Sequence, residues 1–278
     1  MEPMNISVVI PVLNERENVA KLYNELVTGL ESHSNKTCEV IFVDDGSSDG
    51  TFEVLAALHA QDARVKVIQF RRNFGKSAAL SAGFAIAQGE VIFTMDGDLQ
   101  DDPGEIPRFL ESLSAGFDLV SGWKYPRHDP LSKTLPSKLF NATVRLTTGV
   151  QLHDFNCGFK AYRREVIEEI RLYGELHRYT PILASQKGFR VAEIKVAHRP
   201  RKFGRSKYGF RRFARGFFDL LTVLFLGAYT WRPLHLFGWA GIGSFSLGFL
   251  INLYLAILWF QGQGPIGNRP LLTLGVLL

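Results

Sequence analysis

Polar and apolar positions follow two rhythms along the first 200 residues. Short apolar runs, Ile6–Val12, Val40–Val43, Val65–Phe70 and Val91–Met95, read as strands. Between them lie stretches with the spacing of amphipathic helices, such as Val19–Leu30, Phe52–His59 and Ser77–Ala87. Strands separated by helices of this length predict right-handed crossovers and a mainly parallel α/β sheet covered on both faces. Ligands then bind outside the carboxyl ends of the strands. Trp123 to Val150, with Pro126, Pro130 and Pro136, is the least regular part and has the composition of a loop.

Beyond Arg232 the rhythm is lost, because Pro233 to Asn268 contains no Lys, Arg, Asp or Glu. A helix crossing the hydrocarbon needs about 20 apolar residues, so a transmembrane helix is predicted over 233–260. A second apolar segment starts at Pro270 and stops after nine residues, too few to cross. The net charge of the 278 residues is +5, and residues 198–215 carry eight Arg and Lys with no acid. Set against a membrane span, that cluster stays cytoplasmic and suits anionic lipid better than nucleic acid. From Phe210 to Trp231, Arg211, Arg212, Arg215 and Asp219 interrupt apolar residues, which predicts amphipathic helix lying in the interface. The chain therefore divides into a globular domain over 1–200, basic interfacial helices over 201–231 and a membrane region over 232–278. The reading is an integral membrane protein with its globular domain on the cytoplasmic face. The start, MEPMNISVVIPVL, has no basic opening and no cleavage site, so no signal peptide is expected; Cys38 and Cys157 show no pairing pattern.

The four strand exits carry the chemistry. They read PVLNE (11–15), DDGSSDGT (44–51), RRNFGKS (71–77) and DGDLQ (96–100), each polar, charged or glycine-bearing and suited to one shared ligand. Asp and Gly in the second exit also make a turn, with Ser48 or Asp49 available to cap the next helix. RRNFGKS lacks the spacing of a P-loop. Counting an EF-hand from Asp96 puts Asp101 where Gly is needed and Pro107 where Glu is needed, so that template fails. In extended chain, Asp96 and Asp98 point to the same side. Two carboxylates this close repel, and oxygen-only ligands favour Mg2+ or Mn2+ as neutraliser, with Gln100 adding a neutral oxygen. Asp101 and Asp102 are expected to face water or to cap the helix entered through Pro103. Lys76, on the third exit, is a candidate second cation.

PVLNE, VDDGSSDGT, RRNFGKSAALSAG, MDGDLQDDP, DFNCGFKAYRREV and RKFGRSKYG, in that order and followed by membrane segments, resemble family 2 glycosyltransferases of the dolichyl-phosphate mannose synthase type. Bacterial polyprenyl-phosphate glycosyltransferases share the layout. The resemblance implies a GT-A fold, a nucleotide-sugar donor (a UDP- or GDP-hexose) and a polyprenyl-phosphate acceptor, dolichyl or undecaprenyl. It leaves room for a homo-oligomer. Carried over, Pro11, Leu13, Glu15 and Asp45 line the nucleoside pocket with Asp44 beside it. Asp96, Asp98 and Gln100 meet the metal and diphosphate, and Arg201, Ser206 and Lys207 lie near the acceptor phosphate.

The chain departs from the pattern in places. Trp123-Lys124 stands where many relatives have an Arg after a strand ending at Ser121, so phosphate contact there falls to Lys124 or Arg127, and Lys138 replaces another Arg. Gly158 occupies a position that holds Asp in some glucosyltransferase relatives, which puts a general base there in doubt. A phosphate monoester is largely dianionic at neutral pH and needs none. The implied reaction is metal-assisted displacement with inversion, Asp96, Asp98, Arg201 and Lys207 being the catalytic set. One alternative is a processive or hydroxyl-directed glycosyltransferase, but its QxxRW motif is missing. A non-catalytic lipid-binding membrane module is another, and it leaves the four polar exits without a purpose.

Overall fold

The computed structural model describes residues 5–31, 38–125, 141–199, 222–223, 225, 233–263, 265–267 and 269–278. Residues Met1–Val223 and Leu224–Leu278 form two compact units. The first is a seven-stranded sheet in the order β3-β2-β1-β4-β6-β5-β7. Its strands are β1 Ile6–Val12, β2 Cys38–Asp44, β3 Val65–Gln69, β4 Val91–Thr94, β5 Leu119–Lys124, β6 Lys160–Arg163 and β7 Val191–Val196. Helices α1 Arg16–Glu31, α2 Thr51–Gln61 and α3 Lys76–Ile86 separate the first four strands, and α4 Ile106–Ser114 precedes the fifth.

β1 to β4 are parallel, as the alternation of strands and helices requires. The sheet turns mixed at β6, which runs antiparallel to both β4 and β5. β1, β2 and β3 step outward in one direction and β4 returns to the other side of β1. Strand order thus reverses between β1 and β4, which leaves a crevice at their carboxyl ends. Side chains alternate across the sheet: Ile6, Val8, Ile10 and Val12 enter the core under α1 and α4, while Val9, Ile41 and Ile92 enter a second core beneath α3. α3 lies close to the sheet because Gly83 has no side chain; a Cβ there would stand 2.3 Å from Val9 Cγ1.

The second unit holds a 28-residue helix, Pro233–Phe260, and a shorter one, Pro270–Leu277. Over Phe237–Phe260 the helix is long and apolar enough to cross a membrane. It is not the buried helix of a soluble core, since Phe237, Trp239, Ile242, Phe245 and Phe260 are exposed. The second helix packs against it at Gly248, where a Cβ would come within 2.7 Å of the Gly275 carbonyl oxygen.

Candidate functional site

The first two exits are stitched together by hydrogen bonds rather than by charge. Asn14, in the left-handed region at φ 51°, donates its N–H to Ser47 Oγ at 2.8 Å and accepts from Ser48 N at 2.8 Å. Glu15 N donates to Thr51 Oγ1 at 2.9 Å, and its carboxylate accepts from Asn18 Nδ2 at 2.6 Å. Asp44 accepts from Ser47 N at 2.9 Å, and its other oxygen is buried without a hydrogen bond among the described residues. Asp45 accepts from Phe74 N at 2.7 Å and from Gly75 N at 3.0 Å, which ties the third exit to the second. Burial raises the Asp45 carboxyl against the pull of those N–H groups, and Asp44 raises it further. Pro11 and Leu13 stand half-buried at the end of β1.

The fourth exit is organised by cations. Lys76, the first residue of α3, pairs with Asp96. A lysine at a helix N-terminus opposes the macrodipole, and the carboxylate offsets that. Burial would raise the Asp96 carboxyl, but Lys76, Lys124 and Lys160 hold it well below the carboxylate range. Asp98 is buried and accepts from Gln100 N at 3.2 Å. Between them Leu99 takes φ 62°, a strained turn for a leucine that bends the loop back on itself. Gln100 Nε2 donates to the Arg199 carbonyl at 3.4 Å, and Arg199 N returns a bond to the Gln100 carbonyl at 3.0 Å. Gly158 abuts this exit, for a Cβ on it would stand 2.6 Å from an Asp96 carboxylate oxygen.

Two expectations are corrected here. Asp101 does not face water: it is 1% exposed, accepts from Asp96 N at 3.2 Å and pairs with Lys124 at 3.1 Å. β5 does not stop at Ser121 but continues to Lys124. The ammonium is thereby carried beneath the acid-rich loop, where Asp101 outweighs burial and raises it well above the usual lysine value. Asp102 does cap, accepting from Gly104 N at 2.9 Å, and also pairs with Arg199 at 2.7 Å. Arg127, Lys138, Arg201, Ser206 and Lys207 lie outside the described residues, as does nearly all of the stretch 210–231.

The structure adds residues that sequence reasoning missed. Lys160, His177 and Arg178 line a cavity beside Lys76. Lys160 stood out in principle, as a charge inside an apolar strand segment, GFKAY. His177 Nδ1 lies 3.0 Å from Ser77 Oγ, and burial together with Lys76, Arg178 and Lys160 pushes its imidazole well below the usual value. Nothing local marked it as facing α3.

Among curated proteins, the chain is 38% identical over 283 residues to a dodecaprenyl-phosphate galacturonate synthase of Rhizobium johnstonii, covering 100% of this chain and 83% of that protein. It is 40% identical over 258 residues to an undecaprenyl-phosphate 4-deoxy-4-formamido-L-arabinose transferase of Salmonella choleraesuis, covering 91% and 77%. The fold is similar to that of glucosyl-3-phosphoglycerate synthase from Mycobacterium tuberculosis, solved with Mn2+ and UDP-glucose. There the TM-score is 0.61 at 20% identity, over 81% of this chain and 79% of that one. The model for glycosyl transferase family 2 matches residues 7–171, from β1 past the acid-rich exit and β6. On that match and on relatives spanning its length, the chain belongs to glycosyl transferase family 2.

Proposed function

We propose that this protein transfers a sugar from a nucleotide-sugar to the phosphate of a polyprenyl phosphate at a membrane surface, inverting the anomeric carbon. The observation that carries the reading is the reversal of strand order between β1 and β4, which gathers four polar exits around Asp96 and Asp98. The names of the two relatives, both polyprenyl-phosphate sugar transferases, and the long apolar helix support it. In this reading residues 1–200 are catalytic, 201–231 lie in the interface and 232–278 are membrane-embedded, with the catalytic domain on the cytoplasmic face.

Pro11, Leu13, Glu15, Asp44 and Asp45 form the nucleoside side of the site. Asp96, Asp98 and Gln100 offer only oxygen ligands, a set that fits Mg2+ or Mn2+, which take few protein ligands and add substrate phosphates. When bound, such an ion offsets charge developing on the leaving diphosphate. Lys76 then has two tasks. It neutralises Asp96 before the donor arrives and is placed to turn its ammonium to a donor phosphate afterwards. Lys124, held by Asp101, adds positive potential from beneath the loop rather than by direct contact. Arg127, Lys138, Arg201, Ser206 and Lys207 receive the acceptor phosphate, which supplies its own nucleophilic oxygen, with a second pKa of about 6.

The test is transfer itself. The full chain, in vesicles containing polyprenyl phosphate, is given labelled nucleotide sugars, and label is expected in a lipid cleaved by mild acid. Chelation, Asp96→Ala and Asp98→Ala should each lower the rate at least about a thousandfold, or about 4 kcal/mol. Label recovered only in an acid-stable glycolipid would replace the phosphate acceptor by a hydroxyl.

A further inference from the structure

The cavity beside Asp96 is lined by three cations, Lys76, Lys160 and Arg178, and among the described residues by no carboxylate. Two of them have partners: Lys76 pairs with Asp96, and Arg178 with Glu175 at 2.6 Å. Lys160 does not. Its residue is 2% exposed, its ammonium donates to the Cys157 carbonyl, and among the described residues no carboxylate stands within ion-pair distance of it. Strand pairing fixes it there, since Lys160 lies opposite Thr94 in β4 and Ser121 in β5 and cannot swing out to solvent.

Removing an ammonium from water costs several kcal/mol unless an anion completes its surroundings. The positive end of α3 opens beside the same cavity, with no acid in its first turn. Asn156 and His177 add polar atoms to the wall. The space is small, too little for a diphosphate. Its position matters as much as its charge. Gly158 forms part of the wall and also abuts the Asp96 carboxylate, so the cavity adjoins the acids assigned to the donor diphosphate. The substrate portion next to that diphosphate is the sugar ring, in which C5 is joined to the anomeric carbon through the ring oxygen, so a C5 substituent stays near the diphosphate side.

We propose that Lys160, with Arg178 and the start of α3, forms a subsite for a carboxylate on the donor sugar, so that the donor is a nucleotide-linked hexuronate. This deepens the glycosyltransferase reading and rests on it for the placement of the donor. Binding and transfer are measured separately for the full chain, comparing UDP-glucuronate and UDP-galacturonate with UDP-glucose, UDP-galactose and UDP. The wild type should bind one uronate about ten- to a hundredfold more tightly than its neutral counterpart, the span of one charge-assisted hydrogen bond. Lys160→Gln should abolish that ratio while leaving UDP affinity unchanged, and Lys160→Arg should restore part of it. Should Lys160→Gln not fold, Arg178→Gln is expected to reduce the same ratio. Equal binding of uronate and neutral donors by the wild type overturns the proposal, as does a parallel loss of both donors and of UDP in Lys160→Gln, which would assign the lysine to the diphosphate. A loss confined to the KM for polyprenyl phosphate would assign it to the acceptor and overturns it too. Selective uronate binding with no lipid product would leave the subsite standing and remove the proposed transfer.

Discussion

The second and fourth exits are both rich in aspartate and end neighbouring parts of one sheet, yet they are neutralised in opposite ways. At Asp44-Asp45-Gly46 the acceptors meet main-chain N–H groups of Ser47, Phe74 and Gly75. At Asp96 and Asp101 they meet the ammonium groups of Lys76 and Lys124. Backbone dipoles are fixed once the turn has formed, so the second exit is a rigid cradle. Gly46 is part of it, at φ 78° and so close to the third exit that a Cβ would stand 2.6 Å from the Arg72 carbonyl carbon. An ammonium on a flexible stem can leave its carboxylate when a metal ion or a phosphate replaces it. The contrast shows that an acid pair in sequence is ambiguous between scaffold and charge-exchange site until its partners are known.

Substitutions can break that comparison, and the largest effect is expected at Asp101. Asp101→Ala leaves the Lys124 ammonium buried without its partner and should lower stability by about 3–5 kcal/mol in denaturation of the detergent-solubilised chain. Asp101→Asn should cost nearly as much, because the charge is what is lost, and Lys124→Met in the same chain should recover most of it. At Asp45 the order differs. Asp45→Ala should cost about 1–3 kcal/mol by stranding the Phe74 and Gly75 N–H groups, whereas Asp45→Asn keeps an acceptor oxygen and should be mild. If Asn were as damaging as Ala at both positions, the distinction between backbone-held and cation-held acids would fall.

The smallest effect sharpens the boundary of the cation-held group. Asp102 pairs with Arg199, but both side chains are about one-third exposed, at 29% and 34%. Water screens such a pair, so Asp102→Ala should change stability by about 1 kcal/mol or less, including its cap to Gly104 N. A thermal melt showing a loss as large as that of Asp101→Ala would mean that the Arg199 contact, together with the Gln100–Arg199 bonds, anchors the loop as firmly as Lys124 does.

The sequence by itself determined the parallel half of the sheet, the long apolar helix and the four exits, because hydrophobic period and charge-free length are local properties that neighbouring residues suffice to express. It also pointed to Asp96 and Asp98 as a pair, but the strand period of two used for that does not apply, because β4 ends at Thr94 and the chain turns at Gly97 and Asp98. Tertiary structure alone decided which group neutralises which acid. Lys76 is 20 residues from Asp96, Lys124 reaches Asp101 because β5 runs past Ser121, and Ser77 meets His177 across 100 residues. No periodicity encodes those separations. The same holds for Asp101, which looked like one more solvated acid in DGDLQDDP until the left-handed turn at Leu99 folded it under the loop, and for Lys160, buried because β6 was inserted between β4 and β5. A side chain's chemistry is written in the chain, but its counter-charge is supplied by whatever the fold brings within a few ångströms, and that depends on contacts distant in sequence.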